Sequence, residues 1–526
     1  MVAAARFPAP HSGVSPQPQI REFWLVNILI ASSEAVPFAK TGGLADVCGA
    51  LPNQLAKLGH NVTLVLPAYG AIRHCGIECT DLGVQFDIPI GSKIVTGRYL
   101  QAQVEGGGQV ILVQQDDYFD RPQLYGENGE DYKDNCERFA FFCRAVLESI
   151  QLLDIPTDLV HCNDWQTGLI PAYLKLEYHN TRGYETIATL LTIHNMAYQG
   201  VFWHWDMLLT GLDWKYFNWQ QMEFYGSLNL LKTGITFSDS INTVSPLYAE
   251  EIQTPEHGCG LEGVLQQRQS ELTGILNGID DSVWSPIADP YLTDNYDVSN
   301  WSTGKARCKA ALQSEMALAV DPHKPLIGLV GRLADQKGWD LVLRIMQQWI
   351  ESESAQWVVL GTGQPEYHRA LAELSRKDSQ KVAVKLAFSN ELAHQIEAAA
   401  DVFLMPSQYE PCGLNQLYSL RYGTVPVVRQ TGGLADTIVD ANADSLREQS
   451  ANGFSFADYD VGALDRTLSR AVEVYRQQPD VWRQIVETGM KQDWSWARSA
   501  RSYEQLYQHI LTRRGGRKHS AEISTV

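Results

Sequence analysis

Residues 26–66 read VNILIASSEAVPFAKTGGLADVCGALPNQLAKLGHNVTLVL, and this stretch decides the fold. VNILIA (26–31) and NVTLVL (61–66) are short, continuous apolar runs. Such runs are the mark of strands buried on both faces. Between them, residues from about Leu44 to Leu58 carry a helical pattern. A buried strand, a helix and a second buried strand make a βαβ unit, which requires a parallel sheet. At the joint between the first strand and the helix stands Lys40-Thr41-Gly42-Gly43-Leu44-Ala45-Asp46. Paired glycines there let backbone N–H groups at a helix N-terminus approach an anion or a hydroxyl closely.

The same alternation continues outward. Further strands are expected near 109–114, 158–162, 188–193 and 240–244. A second series follows the polar stretch 289–304, with strands expected at 325–330, 356–360, 382–386, 401–405 and 425–428. This predicts an α/β chain of two doubly wound halves joined near Asn277–Asn300. In such sheets ligands bind beyond the carboxyl ends of the strands. The first turn has an echo, Thr431-Gly432-Gly433-Leu434-Ala435-Asp436. One copy in each half suggests that both present this turn to a shared cleft; an ordinary tight βα turn is the alternative.

Bulk properties narrow the function. A chain of 526 residues has room for two to four domains, and 44% hydrophobic residues supply their cores. The net charge of −19 argues against nucleic acid or an anionic membrane as the main partner. It does not disfavour a neutral polysaccharide. Nine cysteines without a CxxC pair or zinc spacing read as free thiols. No apolar run is long enough to span a bilayer. Residues 1–25 are rich in Pro, Ala and Ser and read as a disordered extension, with a transit peptide as the alternative.

Several stretches together resemble the glycogen/starch synthase family of GT-B glycosyltransferases. They are Lys40–Asp46, Thr192-Ile193-His194-Asn195, Leu276-Asn277-Gly278-Ile279-Asp280, Gly331-Arg332 with Gln336-Lys337-Gly338, and Glu410-Pro411-Cys412-Gly413-Leu414. The resemblance runs in order from about residue 26 to 512. It implies a glucan-acceptor domain over 26–285 and a nucleotide-sugar domain over 286–494. A last helix within 495–526, about Ser495–Leu511, would return to the first domain. It further implies transfer of glucose from ADP-glucose to the non-reducing end of a (1→4)-α-glucan, with retention of configuration. The expected home is a bacterial or cyanobacterial cytoplasm, with a plastid as the alternative.

Residue by residue, the leaving nucleoside diphosphate needs positive charge. Arg332 and Lys337 follow an apolar strand in the loop that opens the next helix, and a guanidinium fork with a point ammonium suits a diphosphate. By resemblance both contact the donor phosphates, and Lys40 and Gly43 approach them from the other half. Glu410, between a strand and a helix, would accept bonds from glucose hydroxyls and stabilise positive charge at the anomeric carbon. It would also suit the helix N-terminus that follows it. Gly413, Leu414 and Asn415 would offer that helix's N–H groups to phosphate or ribose; many relatives have Thr at the position of Asn415. Asn277 belongs to the donor set by resemblance. His194 ends a strand at the expected crevice and reads as a donor-glucose contact, not a base. Asp164 is a candidate for the acceptor hydroxyl, with Asp46 and Tyr125 as further acceptor-side residues.

In HCNDWQ (161–166) the outer histidines of many relatives' His-Asp-Trp-His are replaced by Asn163 and Gln166, so any role needing them is open. Phe388 stands either beside the nucleotide base or in the core. Nine aromatics within 202–225 suit either a glucan groove or packing. Asp458-Tyr459-Asp460 is a bare DxD too short to define a metal site; no metal or other cofactor is expected. Three rivals remain. They are a pyridoxal-dependent glucan phosphorylase, a catalytically silent glucan-binding protein, and a dinucleotide-dependent dehydrogenase, for which Gly361-Thr362-Gly363 lacks the full fingerprint.

Overall fold

The apolar runs of the first half form a nine-stranded sheet. Its strands are β1 (Asn27–Ala31), β2 (Asn61–Pro67), β3 (Cys79–Ile90), β4 (Lys93–Ala102), β5 (Gln109–Gln114), β6 (Leu159–Asn163), β7 (Ala188–Ile193), β8 (Ser240–Thr243) and β9 (Leu272–Gly274). The computed structural model describes residues 25–103, 108–127, 129–352 and 355–523. The extension expected over 1–25 therefore lies, except for Leu25, outside the described residues. The spatial order is β9-β8-β7-β6-β1-β2-β5-β4-β3. Pairing is parallel except at β3 and β4, an antiparallel hairpin that continues the sheet beyond β5.

The second half forms a six-stranded sheet of β10 (Leu326–Val330), β11 (Gln356–Leu360), β12 (Val382–Lys385), β13 (Val402–Met405), β14 (Val425–Arg429) and β15 (Phe454–Phe456). Its order is β12-β11-β10-β13-β14-β15, parallel throughout. Counting parallel strands in chain order, the first sheet runs 3-2-1-4-5-6-7 and the second 3-2-1-4-5-6, the doubly wound arrangement. The order reverses between β1 and β6 in the first sheet and between β10 and β13 in the second. These two reversals are where crevices open.

Burial explains the unbroken apolar runs. In β1, Leu29 and Ala31 enter one core while Ile28 and Ile30 enter another on the opposite face. A third core surrounds the second sheet. The C-terminal helix, Trp496–Ile523, crosses back to the first sheet. Trp496, Ala500, Tyr503, Tyr507 and Ile510 form its apolar stripe and join the core that holds Ile28 and Ile30. Tyr507 Oη lies 2.9 Å from His161 Nδ1, and Glu504 lies 3.1 Å from His60 Nε2. Burial holds the His161 imidazole down at about 3, so it stays neutral against the tyrosine.

Candidate active site

A cleft of about 610 Å³ lies between the carboxyl edges of the two sheets and draws its walls from both lobes. That volume suits a ligand of nucleotide-sugar size. The segments after β1, β6, β10 and β13, the four strands flanking the two reversals, all line it, as do His194 and Asn195 after β7. The cleft brings together Lys40, Gly43, Asp46, Tyr125, Asp164, His194, Asn277, Arg332, Lys337, Glu410, Gly413, Leu414 and Asn415. Phe388 stands apart from them.

In the second lobe, the loop after β10 and the loop after β13 are laced together. Gln336 Nε2 donates to Tyr409 O at 3.2 Å, and Gln408 N donates to Gln336 O at 2.8 Å. The lacing brings Lys337 Nζ to 2.6 Å from Glu410 Oε2, which also accepts from Ser407 Oγ at 3.1 Å. Arg332 has no carboxylate partner among the described residues. Gly413 adopts φ +73°, a left-handed conformation that favours glycine, and so turns the chain into the helix Asn415–Tyr422. The Asn415 amide donates to Val330 O at 2.7 Å, so the side chain that departs from the relatives' Thr ties this helix to the end of β10. The backbone N–H groups at the helix start are left for a ligand.

In the first lobe, Lys40 Nζ pairs with Asp46 Oδ1 at 2.7 Å. Sequence reasoning passed over Glu34, which is only 3% exposed. Its carboxylate accepts from Thr41 N (2.5 Å), Thr41 Oγ1 (2.6 Å) and Gly42 N (3.3 Å), and so fixes the glycine turn. The signal available was an acid between a buried strand and a glycine turn. Tyr125 Oη lies 2.7 Å from Glu34 Oε1 and 2.8 Å from Ser33 Oγ, so its hydroxyl braces this carboxylate.

Asp164 sits at φ +56°, strained for a non-glycine residue, directly after β6. His194 N donates to its Oδ1 at 2.7 Å. Burial lifts this carboxyl from its ordinary 3.8 to about 7. Burial lowers the His194 imidazole to about 3, which leaves it neutral. Asn163 donates its amide to Ala31 O at 3.1 Å and turns its oxygen to His194 Nε2 at 2.9 Å. Nε2 therefore carries the proton and Nδ1 the lone pair. Asn163, at one of the replaced histidine positions, thus orients His194. Gln166, at the other, lines the cleft with a buried side-chain oxygen that has no partner, and so does Asn277.

Since the proton on Asp164 is held more tightly in the folded chain than in the unfolded one, ionisation costs stability that grows as pH rises from about 4 to about 7. Asp164→Asn keeps an acceptor oxygen and tolerates positive φ. It should raise the melting temperature relative to wild type, and by more at pH 8 than at pH 5. An equal shift at both pH values would show that burial of the charge is not the cause.

One expectation needs correction. The second glycine turn does not face the cleft. Thr431 Oγ1 and Gly432 N both donate to Glu251 Oε1 of the first lobe at 3.0 Å, while Asp436 accepts from Ser245 Oγ and, at 3.0 Å, from Leu247 N. Two helix starts, one per lobe, are thus capped by a carboxylate from the other. Nor do the aromatics of 202–225 line the cleft. Phe202 packs on Trp165, and Tyr216, Phe217 and Phe224 pack on the core, but Trp203, Trp205, Trp219 and Tyr225 are exposed. Phe388 is not core either; it is 87% exposed in the loop between β12 and the helix Asn390–Ala399.

Two facing doubly wound lobes with cations and a carboxylate at the shared cleft define a glycosyltransferase of the GT-B class. Residues 27–267 match the starch synthase catalytic domain family, and residues 314–485 match the group 1 glycosyl transferases. The glycogen synthase of Rhodopirellula baltica is 48% identical over 500 residues, covering 93% of this chain and 98% of that protein. The glycogen synthase of Syntrophotalea carbinolica is 44% identical over 486 residues, covering 92% and 99%. The catalytic domain of starch synthase IV from Arabidopsis thaliana, bound to ADP and acarbose, superposes with a TM-score of 0.86 at 32% identity, over 93% of this chain and 100% of that one. Sucrose-phosphate synthase from Thermosynechococcus elongatus shares the fold, with a TM-score of 0.56 at 17% identity over 92% and 99%. The chain belongs to the glycogen/starch synthase family.

Proposed function

We propose that the cleft transfers glucose from ADP-glucose to the non-reducing end of a (1→4)-α-glucan with retention of configuration. The observation that carries this reading is Arg332, a guanidinium without a carboxylate partner among the described residues, set beside the Lys337–Glu410 pair at the reversal of the second sheet. Arg332 and Lys337 take the donor diphosphate. Lys40 and the Gly43 N–H meet it from the first lobe, and the N–H groups of Gly413, Leu414 and Asn415 complete the cradle. These protein cations neutralise the leaving group, so no metal is required.

Glu410 then faces the anomeric carbon. The bond from that carbon to the phosphate oxygen breaks while a bond to the acceptor oxygen forms on the same face. The acceptor's proton passes to the departing phosphate. Neutral His194 accepts a glucose hydroxyl at Nδ1. The unpartnered oxygens of Asn277 and Gln166 suit a substrate rich in hydroxyl donors. Asp164, Asp46 and Tyr125 lie on the acceptor side. The glucan belongs to residues 26–285, the nucleotide sugar to 286–494, and 495–526 form the returning helix and tail. No helix among the described residues is long and apolar enough to cross a membrane; the proposed home is the cytoplasm of a bacterium or cyanobacterium.

Phe388 lies past the end of β12, two strands along from β10, and we propose that it stands beside the nucleotide base. Phe388→Ala should raise KM for ADP-glucose about twofold to tenfold, the worth of one aromatic stack. The glucan KM should not move, and an unchanged donor KM would remove Phe388 from the site.

The test of the whole reading is incorporation of labelled glucose into glycogen by purified protein. ADP-glucose and UDP-glucose are compared, with and without EDTA. Incorporation from ADP-glucose that EDTA leaves unaffected is expected. Transfer from UDP-glucose alone would overturn the donor, and none from either would overturn the reading.

A further inference from the structure

Scattered exposed apolar side chains are ordinary, but exposed indoles clustered within one short segment are not. Trp203 is 64% exposed and Trp219 is 69% exposed, and Trp205 and Trp214 are also open to solvent. The core duty of this segment is met by other residues, since Met207, Leu212, Met222 and Leu228 are buried. The segment is also built rather than loose. Buried Lys232 donates to Trp219 O and Glu223 O, both at 2.6 Å, so a desolvated cation is committed to holding the backbone that carries Trp219.

Three of the rings make a ladder. Trp203 and Trp205 lie 6.4 Å apart with planes at 64°, and Trp205 and Trp214 lie 5.3 Å apart at 73°. We propose that Trp203, Trp205, Trp214 and Trp219 form a second α-glucan-binding surface, outside the cleft, that holds a chain of the polymeric acceptor. Indole faces stack on the apolar faces of glucose units. Because the planes turn from one ring to the next, they offer no flat platform for an extended β-linked ribbon. They follow a curved chain, the shape that α-1,4 linkage gives.

The ridge is continuous with the cleft. Phe202 packs on Trp165 at 5.6 Å between centroids, and Trp165 lines the cleft, as does Tyr198 just before the segment. A chain held on the ridge therefore lies next to the site of transfer, at a higher effective concentration. This inference rests on reading the cleft as a site of α-glucan elongation.

The test compares full-length wild type with the triple variant Trp203→Ala/Trp205→Ala/Trp219→Ala, by native electrophoresis in gels containing glycogen and by initial rates. The variant should lose about tenfold in apparent glycogen affinity in the gel, and its KM for glycogen should rise correspondingly. Its kcat and its KM for ADP-glucose and for maltotriose, short enough to occupy the cleft alone, should stay as in wild type. The triple Trp→Tyr variant, which keeps the rings, should retain most of the gel retardation. Unchanged retardation of the Ala variant would overturn the proposal. So would an equal rise in maltotriose KM, which would place the rings on the catalytic path. A wild-type dimer that becomes monomeric in the variant would make a second copy the occupant. Retardation needs no donor, so it can be read even if neither nucleotide sugar is used, and the two readings fail separately.

Discussion

Lys337→Ala and Glu410→Ala should each lower kcat by about two to three orders of magnitude, the usual cost of removing one group aimed at transition-state charge. Their effects on ADP binding should part company. Lys337 supplies a charge-assisted bond to phosphate, so its loss should weaken ADP about tenfold or more. Glu410 does the opposite in the free enzyme. At 2.6 Å it competes with phosphate for the same ammonium, and in Glu410→Ala that ammonium is released. ADP affinity should therefore hold or rise in Glu410→Ala while turnover collapses. Calorimetric titration with ADP, beside the rate assay and a thermal melt to show folding, decides this. Near-normal turnover in both variants would overturn the site. An equal loss of ADP affinity in both would overturn the division of labour between the two side chains.

Why Lys337 and Glu410 could be picked from sequence, and Glu34 could not, is a matter of context. The two sheets were legible because strands buried on both faces leave unbroken apolar runs, and the runs ending at Ala31, Val330 and Met405 mark where ligands gather. Charged residues just past those ends were therefore visible as candidates. The hairpin of β3 and β4 was missed; its strands are half-exposed and interleave charges such as Asp81, Asp87 and Arg98, so no apolar run betrays them. Glu34 acts through the backbone of Thr41 and Gly42, and a hydrogen bond to backbone leaves no pattern of residue types. Asn163 is similar. Its value lies in which atom it turns to His194, and the sequence records only that a histidine is absent. The exposure of Phe388 and of the tryptophan ridge was out of reach for the same reason, since composition cannot say which face of an aromatic-rich segment the core uses.

Gly42-Gly43 and Gly432-Gly433 are identical in sequence and differ in what surrounds them. A Cβ at Gly42 or Gly43 would meet nothing within 4 Å. A Cβ at Gly432 would lie 2.2 Å from Glu410 O, and one at Gly433 2.0 Å from Cys412 O. Both obstacles are backbone atoms of the Glu410-Pro411-Cys412 segment, to which Gly433 N also donates. The first pair of glycines keeps room open toward the cleft, whereas the second lets the segment that carries Glu410 lie directly on the turn. Gly433→Ala should therefore displace that segment. We expect loss of activity by about two orders of magnitude or more, as for Glu410→Ala, and destabilisation of about 3 kcal/mol or more from overpacking against backbone. Gly43→Ala should fold and melt as wild type, and lose donor affinity, because its methyl fills space that the diphosphate needs. Melting temperature and ADP titration on the two variants separate these outcomes. A stable, active Gly433→Ala would show that the close approach is dispensable, and a Gly43→Ala protein with wild-type ADP affinity would show that the open turn does not receive the donor.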